Sequence, residues 1–337
     1  MSLWVFASAM ILAYPAGGFG QAAGWEEQRH AVLEMREQGR LHEALEIART
    51  VLAKAERHEP DACPLPLALH DYAVISGDLS LYAEAERALR RAIRLLELAP
   101  TRDDPVIQIL RLRLGEVLLD AGRDQEAKAL FLELQRIWEQ TQPESAELAT
   151  VLDHLAWIDV IHRKLAGAES LLQRSIRLIE ARTDVSPVRI ADIYNDYASL
   201  LFSLKRYADA ETYCMRVQSL FNRHGTGVDA TLINTWMLLG ATYAHTGRVQ
   251  EGEAYMRRAI SASQSIYGEY SLRAGRLMSV GAALLQQCGE KAAAKSLRKE
   301  ADQILAKANR EDPGGLRSTS MRYGERRAKL WLAAVAA

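Results

Sequence analysis

The sequence predicts an all-α chain folded as an α-solenoid of about seven helix-turn-helix repeats, on three observations. Seven short segments repeat one layout: GRLHEA (Gly39–Ala44), SLYAEA (Ser80–Ala85), GRDQEA (Gly122–Ala127), RKLAGA (Arg163–Ala168), KRYADA (Lys205–Ala210), GRVQEG (Gly247–Gly252) and GEKAAA (Gly289–Ala294). Their closing small residues lie 41, 42, 41, 42, 42 and 42 positions apart. A period of this size, held over every interval, marks an array in which each unit buries its apolar face against its neighbours. Around each segment the apolar positions recur at spacings of three and four, which places them on one face of a helix. No segment alternates strictly like a strand for more than a few residues, so almost no sheet is expected.

Each unit reads as a first helix, a turn and a second helix. The first helix carries a mostly small side chain seven residues before the turn: Val32, Ala73, Gly115, Ala156, Ala198, Gly240 and Ala282. A larger apolar residue usually precedes it (Tyr72, Leu114, Leu155, Tyr197, Leu239), and another stands four residues back (Leu69, Leu152, Tyr194, Trp236, Met278). The turn is glycine at Gly39, Gly122, Gly247 and Gly289, which supplies the left-handed backbone that ends a helix. Arg163 and Lys205 take that place in two units, where a tighter or slightly strained turn is expected. The second helix presents Ala44, Ala85, Ala127, Ala168, Ala210, Gly252 and Ala294, followed for example by Leu89 and Ala92, or by Phe131 and Leu134. Two antiparallel helices approach closely only where their crossing lacks bulk, and a large side chain there would overpack the joint by about 1–3 kcal/mol.

Composition narrows the function. The 337 residues are 49% apolar with only 9 prolines, as an ordered helical protein requires. A formal net charge of -1 excludes a general basic field, so nonspecific nucleic-acid binding is not expected. Cys63, Cys214 and Cys288 lie far apart with no CxxC pair, which is neither a disulfide framework nor a zinc site, and Cys214 falls in an apolar stripe. At the amino end, residues 1–23 read as a secretory signal: the apolar run Leu3–Tyr14, then Pro15, then small residues with a Gly18-Phe19-Gly20 cleavage site, although no Lys or Arg precedes the run. The chain is expected to be periplasmic or secreted if that signal operates and cytoplasmic otherwise. Membrane contact is expected only through this run. Residues 309–337 read as a linker at Gly314-Gly315 and a tail with Arg326, Arg327 and Lys329 before Leu330–Ala337, too short to span a bilayer.

The layout resembles the tetratricopeptide repeat. The match is close in IYNDYASLLFSLKRYADAETY (Ile193–Tyr213) and TWMLLGATYAHTGRVQEGEAYMRRAI (Thr235–Ile260). The long period resembles the kinesin-light-chain type, and the resemblance covers residues 25–308. The first unit departs most, with Gln28 and Val32 in place of a large and a small residue, as suits an end cap with a wettable face.

The resemblance implies a right-handed superhelix whose first helices line a concave groove. Residues two and three before each small site would then face it: Arg29 and His30, His70 and Asp71, Leu112 and Arg113, Asp153 and His154, Asn195 and Asp196, Met237 and Leu238, Ser279 and Val280. Glu116, Trp157 and Ser199 stand one residue after the small site, and Asp192, Asn234 and Arg276 lie one turn earlier on the same face. Asn195 is the sharpest candidate, because an amide donates and accepts at once and so grips a peptide backbone. Trp157 would take an apolar anchor, and Asp71, Asp153 and Asp196 would favour Lys or Arg in the ligand.

No catalytic constellation is legible. His42-Glu43 lacks the second histidine of HExxH, and GxxxxGK and GxSxG are absent. His70, Asp71, Asp153 and His154 come from separate units, so no metal site or cofactor is expected. The sequence therefore predicts a noncatalytic scaffold that binds proteins or peptides in the groove. The alternative is a regulatory or sensor subunit for a small ligand or signalling peptide.

Overall fold

The computed structural model describes residues 23–37, 40–57, 63–98, 104–225, 227–270, 272–287 and 289–311. The apolar run and cleavage site expected at the amino end lie outside the described residues, as do Cys288 and the linker and tail beyond Glu311.

Among the described residues every regular element is a helix. They are α1 (Ala23–Glu37), α2 (Leu41–Glu56), α3 (Leu65–Asp78), α4 (Tyr82–Glu97), α5 (Asp104–Asp120), α6 (Asp124–Thr141) and α7 (Ala146–Ile161). Then follow α8 (Leu165–Glu180), α9 (Pro187–Ser203), α10 (Tyr207–His224), α11 (Ala230–His245), α12 (Val249–Tyr267), α13 (Leu272–Gln287) and α14 (Lys291–Glu311). They pair into seven hairpins, with odd-numbered first helices and even-numbered second helices. The predicted single array over 25–308 packs as two compact units, which divide between Gln142 and Pro143. Unit 1 holds α1–α6 and unit 2 holds α7–α14.

One backbone device builds every hairpin. The N–H of the residue after the turn donates to a carbonyl five residues earlier, from Arg40 to Met35 in the first hairpin through Glu290 to Leu285 in the last, at 2.8–2.9 Å in all seven. This closure satisfies a carbonyl that the helix end leaves orphaned, and it requires a left-handed residue at the turn. Gly122, Gly247 and Gly289 supply it at φ 82°, 83° and 88°, while Ser80, Arg163 and Lys205 supply it at 61°, 61° and 60°. The turns at Arg163 and Lys205 are thus no tighter than the others. Their strain lies in φ alone, where a side chain in the left-handed region costs about 1–2 kcal/mol.

The small residues do meet at the crossings. A Cβ on Gly115 would lie 2.4 Å from the buried ring of Phe131, and one on Gly252 would lie 2.6 Å from the Gly240 carbonyl oxygen. In α11 and α12, backbone therefore touches backbone. Unit 2 has one continuous apolar core from Ala149 to Ile304. In unit 2 each first helix also touches the first helix of the next hairpin, so α7, α9, α11 and α13 form a row.

Candidate functional site

Polar bonds run between neighbouring first helices of unit 2. The Arg189 guanidinium of α9 donates to Thr150 Oγ1 of α7, and Thr231 Oγ1 of α11 donates to Asp192 of α9. Thr235 Oγ1 shares its proton between Asn195 Oδ1 at 3.0 Å and the Thr231 carbonyl at 2.8 Å. Asp196 is hydrogen-bonded to Asp153 of α7. Burial first, then the charges of Asp153 and Asp192, push its carboxyl well above the ordinary carboxylate range. Two carboxyls that share a bond this way hold a proton between them, because both cannot ionise cheaply out of water.

Exposure sorts the predicted groove residues. Asp192 is exposed, and Asn195, Asp196, Ser199, Asn234, Arg276, Ser279 and Val280 are half-buried. Asp153, His154 and Trp157 are buried at 4%, 3% and 7% exposure, and Met237 and Leu238 belong to the core. The open groove expected at these five positions is corrected by the packing. Successive first helices abut, so side chains at one offset are covered wherever the neighbouring helix brings bulk.

In unit 1 the same correction holds for His70 and Asp71, both buried. Asp71 Oδ2 accepts from Arg29 Nε at 2.6 Å, and its Oδ1 lies 2.9 Å from His70 Nδ1. Two turns further on, Arg36 of α1 pairs in the same manner with Asp78 of α3. Arg113 is half-buried and bonded to Glu116 at 2.7 Å. Arg29 and Arg36 thus answer Asp71 and Asp78 across neighbouring hairpins, while Arg113 is answered within its own helix. Sequence reasoning missed Thr150, Arg189, Thr231 and Thr235. The signal for them is polar residues on consecutive first helices 39 or 40 positions apart, slightly less than one period.

The second helices carry their own repeated contact. Arg123 bridges Glu126 and Glu86, Arg206 bridges Asp209 and Glu169, and Arg248 bridges Glu251 and Glu211. Each arginine follows a turn and ties its helix to the preceding second helix, which fixes register on the solvent side. Among the described residues, no three His, Cys, Asp or Glu side chains come together to hold a metal, and no helix is long and apolar enough to cross a membrane.

Residues 106–181, 191–224 and 233–266 match the tetratricopeptide repeat family. No curated protein matches the chain by sequence. Among solved structures it is similar to BtubC (BKLC) from P. vanneervenii, at 23% identity over 68% of this chain and 92% of that one, with a TM-score of 0.54. It is similar to the Rap conjugation gene regulator of the plasmid pLS20 in complex with the Phr* peptide, at 10% identity over 89% and 80%, TM-score 0.63. It is also similar to a Rap protein complexed with Competence and Sporulation Factor, at 11% identity over 94% and 99%, TM-score 0.55. At these identities the likeness is one of fold. From α5 to α12 the chain is thus built of tetratricopeptide repeats, and the hairpins on either side are closed by the same backbone hydrogen bond.

Proposed function

We propose that this chain is a noncatalytic interaction module, and that unit 2 binds an extended peptide segment across α9 and α11. The observation that carries this reading is the state of Asn195. Thr235 holds one end of its carboxamide, while the Nδ2 end has no protein partner among the described residues. An amide fixed at one end is already oriented, so little entropy is lost when the other end meets a peptide group. Asn234, half-buried beside Thr235, offers a second amide on the next helix. The exposed Asp192 adds attraction for Lys or Arg in the ligand. Two of the similar solved proteins, the Rap regulator of pLS20 and the Rap protein, were captured with Phr* peptide and with Competence and Sporulation Factor, which agrees with this reading.

The test is selection from an immobilised library of random heptapeptides, followed by titration of the enriched peptide. Asn195→Ala and Asn234→Ala should each weaken binding by about three- to tenfold, the worth of one hydrogen bond. Full affinity in the double variant would remove this face as the binding site.

A further inference from the structure

Away from the first-helix face, unit 1 holds a cleft of about 450 Å3 lined by α2, α3 and α4. Leu52 of α2, Leu69 of α3 and Ala88 of α4 give it an apolar floor, joined by the ring of Tyr72. Its basic wall belongs to α4, where Arg87, Arg90, Arg91 and Arg94 are all exposed.

The acids nearby are already committed. Glu84 accepts the Tyr72 hydroxyl and lies 3.9 Å from Arg49. Glu86 holds Arg90 at 2.8 Å and is shared with Arg123, and Glu56 is paired with Arg91. Arg87 and Arg94 have no acidic partner among the described residues. They stand two helical turns apart, about 10 Å along the axis, beside a floor that water solvates poorly.

We propose that this cleft docks a short acidic segment of a partner protein. One apolar side chain would sit on Leu52 and Leu69, and Arg87 and Arg94 would take the carboxylates on either side. The guanidinium fork matches a carboxylate in a two-pronged bond. A separation of about 10 Å corresponds to about three residues of extended chain, so the fitting ligand carries acidic residues three positions apart with an apolar residue between. A phosphate backbone brings no apolar group to the floor, and a chain of net charge -1 offers no extended basic track for one.

Register supports a device of the outer helices. Arg91 and Arg94 stand six and nine residues after Ala85, and Arg174 and Arg177 stand at the same positions after Ala168, where they line a second cleft with Leu178. There Arg182 is held by Asp184 at 2.5 Å. The wall of that cleft is therefore answered in part by an acid of its own.

Fluorescence anisotropy of the full chain with a labelled Glu-Leu-Ser-Glu peptide tests the proposal. Saturable binding is expected. It should weaken about tenfold or more in an Arg87→Glu, Arg94→Glu variant of unchanged helicity, and severalfold when the peptide leucine becomes serine. Binding should not change with Arg223→Glu, an exposed control on α10, or with Asn195→Ala, which separates this cleft from the first-helix face. Absence of saturable binding, or unchanged affinity in the double variant, overturns the proposal. So does equal binding of a short oligothymidylate that the same substitutions abolish, which would reassign the cleft to nucleic acid.

Discussion

Burial and two neighbouring carboxylates all oppose ionisation of the Asp196 side chain. In the unfolded chain an aspartate titrates near pH 3.9. Below that value both states hold the proton, and the site costs nothing. As pH rises, the unfolded chain releases its proton first, so stability falls until the folded-state value is passed and is level beyond it. Each unit between the two values is worth about 1.4 kcal/mol. An Asp196→Asn variant keeps a donor for Asp153 and removes the titration. It should melt higher than the parent at pH 7 and within error of it near pH 3.5. Thermal unfolding followed by circular dichroism at both values checks this, and equal melting temperatures at pH 7 would show that Asp196 ionises freely. A ligand cation placed against Asp192 and Asp196 would ease the same penalty, so binding should strengthen as Asp196 ionises.

At the scale of the hairpin, the crossing of α11 and α12 is the tightest test of the small-residue rule. A methyl group on Gly252 meets only backbone at close range, 2.6 Å from the Gly240 oxygen and 3.1 Å from the Ala244 nitrogen. No rotamer relieves a clash with backbone, so Gly252→Ala should destabilise by about 1–3 kcal/mol. Gly227→Ala, with open space around its Cβ and no left-handed φ, should stay within about 0.5 kcal/mol of the parent. Urea melts of the two variants decide it. These crossings were legible in the sequence because a covalent period repeats the same contact in each hairpin. The turns were legible for the same reason, and Ser80, Arg163 and Lys205 adopt the glycine geometry because the closing hydrogen bond demands it. The first-helix face was less legible. His70, Asp71, Asp153 and His154 share the offsets of Asn195 and Asp196, and Trp157 shares that of Ser199, yet the former are buried and the latter half-exposed. What separates them is the packing around each position, which carries no mark in the residue itself. The division at Gln142 was not legible either, since the period runs through it unbroken.

At the scale of the molecule, stability in such an array is close to a sum of hairpin and nearest-neighbour terms, so it need not be uniform. The buried residues are distributed unevenly. Unit 2 has a single core that links α7 through α14. In the amino-terminal hairpins of unit 1, Val32, Ala44 and Ile75 belong to one small cluster and Val51, Cys63 and Leu67 to another, beside further buried residues such as Leu69, Leu89 and Leu96. Among the described residues α1 packs against α2 and pairs with α3 through Arg29 and Arg36, and most of α14 is exposed. Local opening costs least where few apolar contacts must be broken. Native-state hydrogen exchange read by mass spectrometry should therefore show the slowest amides in α9 and α11, whose flanks are covered on both sides. Exchange in α1 and α14 should be faster by about tenfold or more, equivalent to about 1.4 kcal/mol of opening free energy. Small additions of urea should release α1 and α2 before α7 to α12. Uniform protection from α1 to α14, lost in one step, would mean that the chain unfolds as a single cooperative body and that the two small clusters contribute as much as the continuous core. An ordered gradient has a functional consequence: the peptide face on α9 and α11 would stand on the most rigid part of the chain, so a ligand there would meet amides already held in place.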